Sequence, residues 1–433
     1  MAEHDIAEVS AWQVLDSRGT PTVAARVTTV GGATGRAIAP VGASTGSHEA
    51  VELRDHALAP YEGRAVARAV SNVRGEIASA LMGLSCLDQL TVDEALCGAD
   101  GTADLHRLGA NAVVAVSLAS LKAAAAHNRQ SLYRYIAGPG SLQLPRPMVN
   151  IISGGAHADG LIDLQDVLAV PLSATTFAGA LEQAWRVRRG TAAAMHAQKL
   201  ETALVADEGG LAAPMTGNEK AIALVTEGIS RAGLEPGVDV GIAIDVAATE
   251  LFDGDNYRFG REERSLSSAD LTGEVAQWCS RYPIVSVEDA LNEDDWSGWQ
   301  ALTTSLGRNV QLVGDDLFAT NTSRLHRGVA MGAANAVLIK VNQAGTVSRA
   351  MAVARTAAEC EYAAVLSARS GDTEESWLAD LAVGWGIGQI KVGSTTRSER
   401  TAKWNRLLEI EAVGRDAVTL APPRRLTPVV NGA

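Results

Sequence analysis

The sequence predicts an α/β barrel preceded by a smaller α+β domain. Short apolar runs alternate with helical patterns through the C-terminal two thirds of the chain, the pattern of parallel strands joined by helices. Three of these runs end in acids, Ile-Ala-Ile-Asp245, Val-Ser-Val-Glu288-Asp289 and Gln-Leu-Val-Gly-Asp315-Asp316, and a fourth leads into Lys340-Val-Asn-Gln. At 433 residues the chain is too long for one ordinary core, and a barrel of about 250 residues plus a smaller domain is the natural division.

Residues 10–15, 22–29 and 34–39 read as strands, the last two joined by a turn at Gly31 and Gly32. Helical periodicity follows over 64–82 and 111–129, which completes a small α+β domain. Residues 137–147 are rich in Gly and Pro and read as a linker, so the domains divide as 1–137 and 146–433. Beyond it, apolar runs at 148–152 and 164–170 come close together. Further strand candidates are 203–205, 240–244, 284–287, 310–313, 336–339, 363–366 and 389–390, with helical patterns such as 218–232 and 346–360 between most of them. The alternation implies a parallel sheet closed into a barrel, and 253–265 reads as an exposed hairpin.

A formal charge of −13 argues against non-specific nucleic-acid binding, so an anionic ligand must be held by local positive charge. Four cysteines without close spacing indicate neither a zinc site nor a disulfide framework, and suit a reducing, cytoplasmic compartment. Residues 1–10 lack the apolar core of a signal peptide. The most apolar long stretch, 108–126, is interrupted by Asn111, Ser117, Ser120 and Lys122 and reads as a buried helix rather than a membrane span.

Barrel active sites form at the C-terminal ends of the strands. Reading across those ends collects Glu208, Asp245, Glu288, Asp315, Lys340, Arg369 with Ser370, and Lys391. Each acid alone has a plain explanation as a helix cap or a solvated loop residue. Gathered at one rim, three carboxylates repel one another unless a cation neutralises them, and oxygen-only ligands suit Mg²⁺. Lys340 lies in an apolar run, where it is either a structural partner of an acid or, with its neutral form favoured by a nearby ion and a second lysine, a general base. Lys391 is that second cation or a binder of a substrate carboxylate. In the first domain, Val41-Gly-Ala-Ser44-Thr-Gly46 offers free backbone N–H groups to an anion and a serine to a metal. His157, in a glycine-rich loop, is either structural or part of the site.

Together these stretches resemble the enolase (phosphopyruvate hydratase) family nearly end to end. The likeness is carried by Asp16-Ser-Arg-Gly, Gly42-Ala-Ser-Thr-Gly, Glu52-Leu-Arg-Asp, Gly109-Ala-Asn-Ala, Asp207-Glu-Gly-Gly, Val313-Gly-Asp-Asp-Leu-Phe, Leu338-Ile-Lys-Val-Asn-Gln, Leu381-Ala-Val-Gly and Arg397-Ser-Glu-Arg. The resemblance implies an enolase-type TIM barrel under a lid domain, and the dehydration of a 2-phospho-3-hydroxy acid. A lysine or histidine base with one or two Mg²⁺ ions is the general arrangement of such sites. Lys340 is then the base, Glu208 the general acid, and Asp245, Glu288 and Asp315 the ligands of a permanent Mg²⁺, with Lys391 assisting. Arg369 and Ser370 would grip the phosphoryl group with Gly42 and Ala43 nearby, and Ser44 would bring a second Mg²⁺ with the substrate as the lid closes. His157 and Asp166 complete the catalytic set. The implied partner is a small phosphorylated anion, with no nucleic acid or membrane, and the family is typically dimeric or octameric.

Three positions depart from the family pattern. Ala368 stands in Ser367-Ala-Arg-Ser-Gly371 where the family has histidine, Asp166 in Gln165-Asp-Val where it has glutamate, and Val41 where it usually has serine. Drift in a genuine enolase is one explanation. The other is a paralogue for a modified phosphoryl substrate, such as a carboxyphosphonoenolpyruvate synthase of phosphinate biosynthesis, since deleting an imidazole makes room on phosphorus. Two other classes are an acid-sugar dehydratase or racemase, opposed by the phosphate-suited residues, and a non-catalytic scaffold, which has no use for three ligand carboxylates. Fold similarity alone does not choose among them.

Overall fold

A computed structural model describes residues 1–42, 46–56, 60–414 and 417–424. Three antiparallel strands, Ile6–Leu15, Pro21–Thr29 and Thr34–Ile38, open the chain as a meander. Helix Ala110–His127 packs across them so closely that a Cβ on Gly35 would lie 2.0 Å from the Ala119 carbonyl oxygen, which is why glycine stands there. That helix is long and apolar enough to cross a membrane by length and composition, yet 83% of the stretch is buried inside the fold. Helix Gln89–Asp100, capped by the Asp88 carboxylate and ended by left-handed Gly101, completes the layer, and its weak amphipathic pattern explains why periodicity does not reveal it.

Eight strands close the barrel. In circular order they are Arg146–Ser153, Asp166–Pro171, Val240–Asp245, Ile284–Glu288, Gln311–Gly314, Ala336–Ile339, Ala363–Ser367 and Gln389–Gly393. The expected all-parallel sheet is corrected at one strand, since Asp166–Pro171 runs antiparallel to both its neighbours. Residues 154–165 are too few for a crossover helix, so the chain must turn straight back. A second correction concerns 203–205, which contribute only an isolated bridge, Val205 to Leu211, within a long loop. Inside the barrel, Met148, Leu168, Val170, Ala243, Val313, Ala336, Leu338 and Val365 form their own apolar cluster, and the intervening residues face the helices.

The hairpin Tyr257–Phe259 with Arg264–Leu266 forms as expected, although Tyr257 and Phe259 turn inward and are buried. Within the Gly/Pro-rich segment, Leu142–Leu144 pairs with Val418–Leu420. The two domains meet over the C-terminal rim of the barrel. Val41 and Gly371 exchange backbone hydrogen bonds of 2.7 and 2.8 Å, Lys122 pairs with Glu375, and Arg397 donates to the Ser17 carbonyl at 2.8 Å.

Candidate active site

Register explains why charged groups collect at that rim. Glu288 is the register partner of Asp245 on the neighbouring strand, so both carboxylates leave the sheet at one level, and Asp315 follows the next strand directly. Lys340 follows Ala336–Ile339, and Lys391 lies in the last strand opposite Ser367. Burying charges this deeply is unfavourable unless they are paired, and the pairing is specific. Lys391 donates at 2.7 Å to both Asp245 and Glu288, and Lys340 donates to Asp315.

Burial alone would lower the ammonium pKa of both lysines, but the carboxylates reverse this: Asp315 raises Lys340, and Asp245 with Glu288 raises Lys391 well above its ordinary value. Without a bound ion Asp315 holds Lys340 as the ammonium, and the neutral form expected beside a divalent cation requires Asp315 to be engaged by that cation instead. Burial, with Asp245 adding to it, pushes Glu288 well above the usual carboxylate range, and its buried Oε1 has no hydrogen-bond partner among the described residues. An orphaned carboxylate oxygen within a set of three acids, two of which share a single lysine, fits a hard oxygen-seeking cation. Asp289 accepts the backbone N–H groups of Asp315 and Asp316 at 2.9 and 2.8 Å, which fixes the turn presenting Asp315, and its carboxylate lies within 4.8 Å of both of theirs.

The opposite side is assembled by loops. Glu208 does not lie at a strand end; it sits in the loop between helices Phe177–Ala197 and Asn218–Arg231. Asn150 donates to its Oε2 at 3.1 Å, His157 Nε2 approaches its Oε1 at 3.9 Å, and Arg400 approaches the same oxygen at 3.7 Å. His157 Nδ1 donates to Asp166 at 2.9 Å, and Ser153 donates to the other Asp166 oxygen. Asp166 is thus linked to Glu208 through the imidazole. Burial would lower the His157 pKa, but Asp166 and Glu208 overcome it and raise it to about 9. Burial would raise Glu208, but His157 and then Arg400 outweigh it and hold the group as a carboxylate.

Glu208, Asp245, Lys340, Arg369, Ser370, Lys391 and His157 line one cavity together with Gln165, Ser367 and Ala368. Its open volume is about 20 Å³, enough for a water. Arg369 is buried, and Glu49 of the small domain grips it, with Nη1 to Oε2 at 2.8 Å and Nη2 to Oε1 at 3.4 Å. Gln343 ties this pair to the acid centre, donating to Glu49 at 3.1 Å and to Asp315 at 3.0 Å. Gly42 does not reach the cavity: its carbonyl accepts from Arg18 at 3.0 Å, and it lines a separate cleft with Arg18, Arg54 and Arg64. Ala43 and Ser44 lie outside the described residues.

Reasoning from strand ends misses Glu49, Asn150, Ser153, Gln343 and Arg400. Gln343 and Arg400 lie within motifs that carried the family likeness, so the signal existed without a role attached. Asn150 and Ser153 are polar interruptions of an apolar strand, which is the one pattern that could have flagged them.

Two family models match the chain. Residues 6–136 match the one described as enolase, N-terminal domain, and residues 141–421 match the one described as enolase, C-terminal TIM barrel domain.

Proposed function

The chain belongs to the enolase family, and from that membership we propose that it catalyses the Mg²⁺-dependent dehydration of a 2-phospho-3-hydroxy acid to a phosphoenol acid. The first substrate we assign is 2-phosphoglycerate, giving phosphoenolpyruvate and water. The observation that carries this reading is a single buried cavity holding a lysine, a glutamate and an arginine–serine pair beside paired carboxylates.

Asp245, Glu288 and Asp315 would hold the ion. When bound, Mg²⁺ supplies the positive charge that neutralises these carboxylates and the enolate developing beside them. Lys340, as the free amine, takes the proton from the carbon next to the substrate carboxylate, and the electron pair moves onto that carboxylate. Lys391 stands as a fixed cation beside it. The pair then returns to form the carbon–carbon double bond as the C–O bond to the hydroxyl breaks. The departing oxygen takes a proton from Glu208 and leaves as water. Lys340 gains one proton and Glu208 loses one, so the step balances.

Glu208 is ionised in the resting cavity, and His157, protonated up to about pH 9 and 3.9 Å away, is the group placed to recharge it. A phosphorylated substrate adds negative charge beside Glu208 and favours its protonated form. Arg369 binds the phosphoryl group by exchanging Glu49 for phosphoryl oxygens, which makes opening of the small domain part of binding. The compartment we assign is the cytoplasm, in keeping with four unpaired cysteines.

One observation favours a second reading. Ala368 is buried in the cavity wall, immediately before Arg369 and Ser370, where its methyl group offers neither a proton nor a hydrogen bond. A larger group on phosphorus would find room there, as in the conversion to carboxyphosphonoenolpyruvate.

The test is to mix the purified protein with 2-phosphoglycerate and Mg²⁺ and follow the ultraviolet absorbance of the enol, with Lys340→Ala and a chelator as controls. Fast turnover abolished by both controls supports the first assignment. Absent turnover, from folded protein that binds Mg²⁺, transfers it to the modified phosphoryl substrate, to be assayed next.

A further inference from the structure

Arg400 lies in the first turn of helix Ser398–Gly414, outside the cavity lining, and is fully buried. Its Nη1 donates to the Arg369 carbonyl at 2.7 Å and to the Val392 carbonyl at 3.1 Å, its Nη2 donates to the Ser370 carbonyl, and its Nε reaches Glu399 at 3.4 Å. The same Nη1 stands 3.7 Å from Glu208 Oε1. One planar cation therefore touches both residues of the proposed phosphoryl grip and the proposed acid.

The packing around it leaves little freedom. A Cβ on Gly393 would lie 2.7 Å from Arg400 Cδ and 2.8 Å from the Glu208 carbonyl oxygen, so glycine at this φ of +119° lets three segments close on one another. The Glu208 carbonyl also accepts from the Ser394 N–H at 2.8 Å. Lys403, one turn on, is buried too and donates to Asp372 and to the Thr373 carbonyl, so the same helix holds the next part of that loop. A guanidinium presents five donors in a fixed plane, whereas an ammonium is a point donor that cannot span the same carbonyls and the carboxylate together.

We propose that Arg400 is a positioning residue that sets the spacing between Glu208 and the Arg369–Ser370 grip, so that a substrate's phosphoryl group and its departing hydroxyl are engaged at once. This rests on the dehydratase reading above. Removal of the carbon-bound proton by Lys340 does not use that spacing, whereas loss of the hydroxyl does. The two halves of the reaction separate in deuterated water: exchange of the carbon-bound proton reports the base, and enol formation reports the acid.

The experiment compares wild type with Arg400→Lys at saturating 2-phosphoglycerate and Mg²⁺, measuring deuterium exchange into recovered substrate and enol formation. Exchange is expected within about threefold of wild type while enol formation falls at least about tenfold, and the KM for substrate is expected to rise. Binding of phosphoenolpyruvate, followed by tryptophan fluorescence, is expected to weaken severalfold. Equal losses in both rates, or no loss in either, from a variant with wild-type circular dichroism would overturn the proposal. If the lysine variant does not fold, Arg400→Gln is measured in the same way, and failure of both to fold assigns Arg400 to structure alone and overturns it as well. A wild type lacking both exchange and enol formation refutes the 2-phosphoglycerate assignment, and the inference, which is drawn for that reaction, falls with it.

Discussion

The two sides of the cavity are built differently. The basic side is delivered by neighbouring strands: Asp245 and Glu288 are register partners, Asp315 and Lys340 follow directly on their strands, and Lys391 lies in the last strand. The acidic side is delivered by loops, with His157 and Glu208 converging from segments about fifty residues apart on Asp166 and Arg400. Even the two lysines differ. Lys391 is held at 2.7 Å by each of two carboxylates, whereas among the described residues Lys340 forms its ion pair with Asp315. Strands fix where the carboxylates and lysines sit, and loops bring the His157–Glu208 pair to face them.

The comparison breaks most directly at Lys340. Lys340→Ala is expected to lower turnover by about 10²–10⁴-fold and to abolish deuterium exchange at the substrate carbon, which isotope incorporation checks. Chelation should remove exchange and elimination together while leaving the circular dichroism in place, because the lysines pair the carboxylates. Glu208→Gln sharpens the contrast: elimination should fall about 10²-fold or more while exchange persists, and loss of both to the same extent would erase the division between the sides.

His157→Gln should cost less, about tenfold, and should change the pH profile. In wild type the acidic side stays charged until the pH rises through about 9, so turnover should decline there, and the variant should lack that limb. The sign for stability is the same. The folded imidazolium pKa lies above the unfolded value of about 6.5, so its stabilisation is complete below that value and is lost as pH rises through about 9.

The smallest expected effect is at the domain contact. Glu49→Gln removes the carboxylate that competes with a phosphoryl group for Arg369, so phosphoenolpyruvate should bind a few-fold more tightly by titration calorimetry. The melting temperature should drop, since a buried guanidinium loses one of its neighbouring carboxylates. Weaker binding in this variant would show that Glu49 organises Arg369 rather than occupying its place.

The residues most legible from the sequence were those whose position follows from local pattern. An apolar run of four to six residues ending in a charge places that charge at a strand end, and Asp245, Glu288 and Asp315 stand there, whereas Lys391 lies inside its strand. Glu208 lines the cavity but not from a strand end, because residues 203–205 are apolar enough to suggest a strand while their backbone runs in a loop. The reversed strand Asp166–Pro171 was hidden for a related reason: strand direction is not encoded in the apolar run itself but in the length of the connection before it.

From its sequence alone this chain determined a barrel with a smaller domain before it, and the kinds of group that meet at the rim, because strand period and connection length are local properties. Tertiary structure alone decided the partners. Lys391 between two acids, Lys340 on Asp315, Glu49 on Arg369 and Arg400 under Glu208 join segments tens to hundreds of residues apart, and such pairings are set by how helices and loops pack once the barrel has closed.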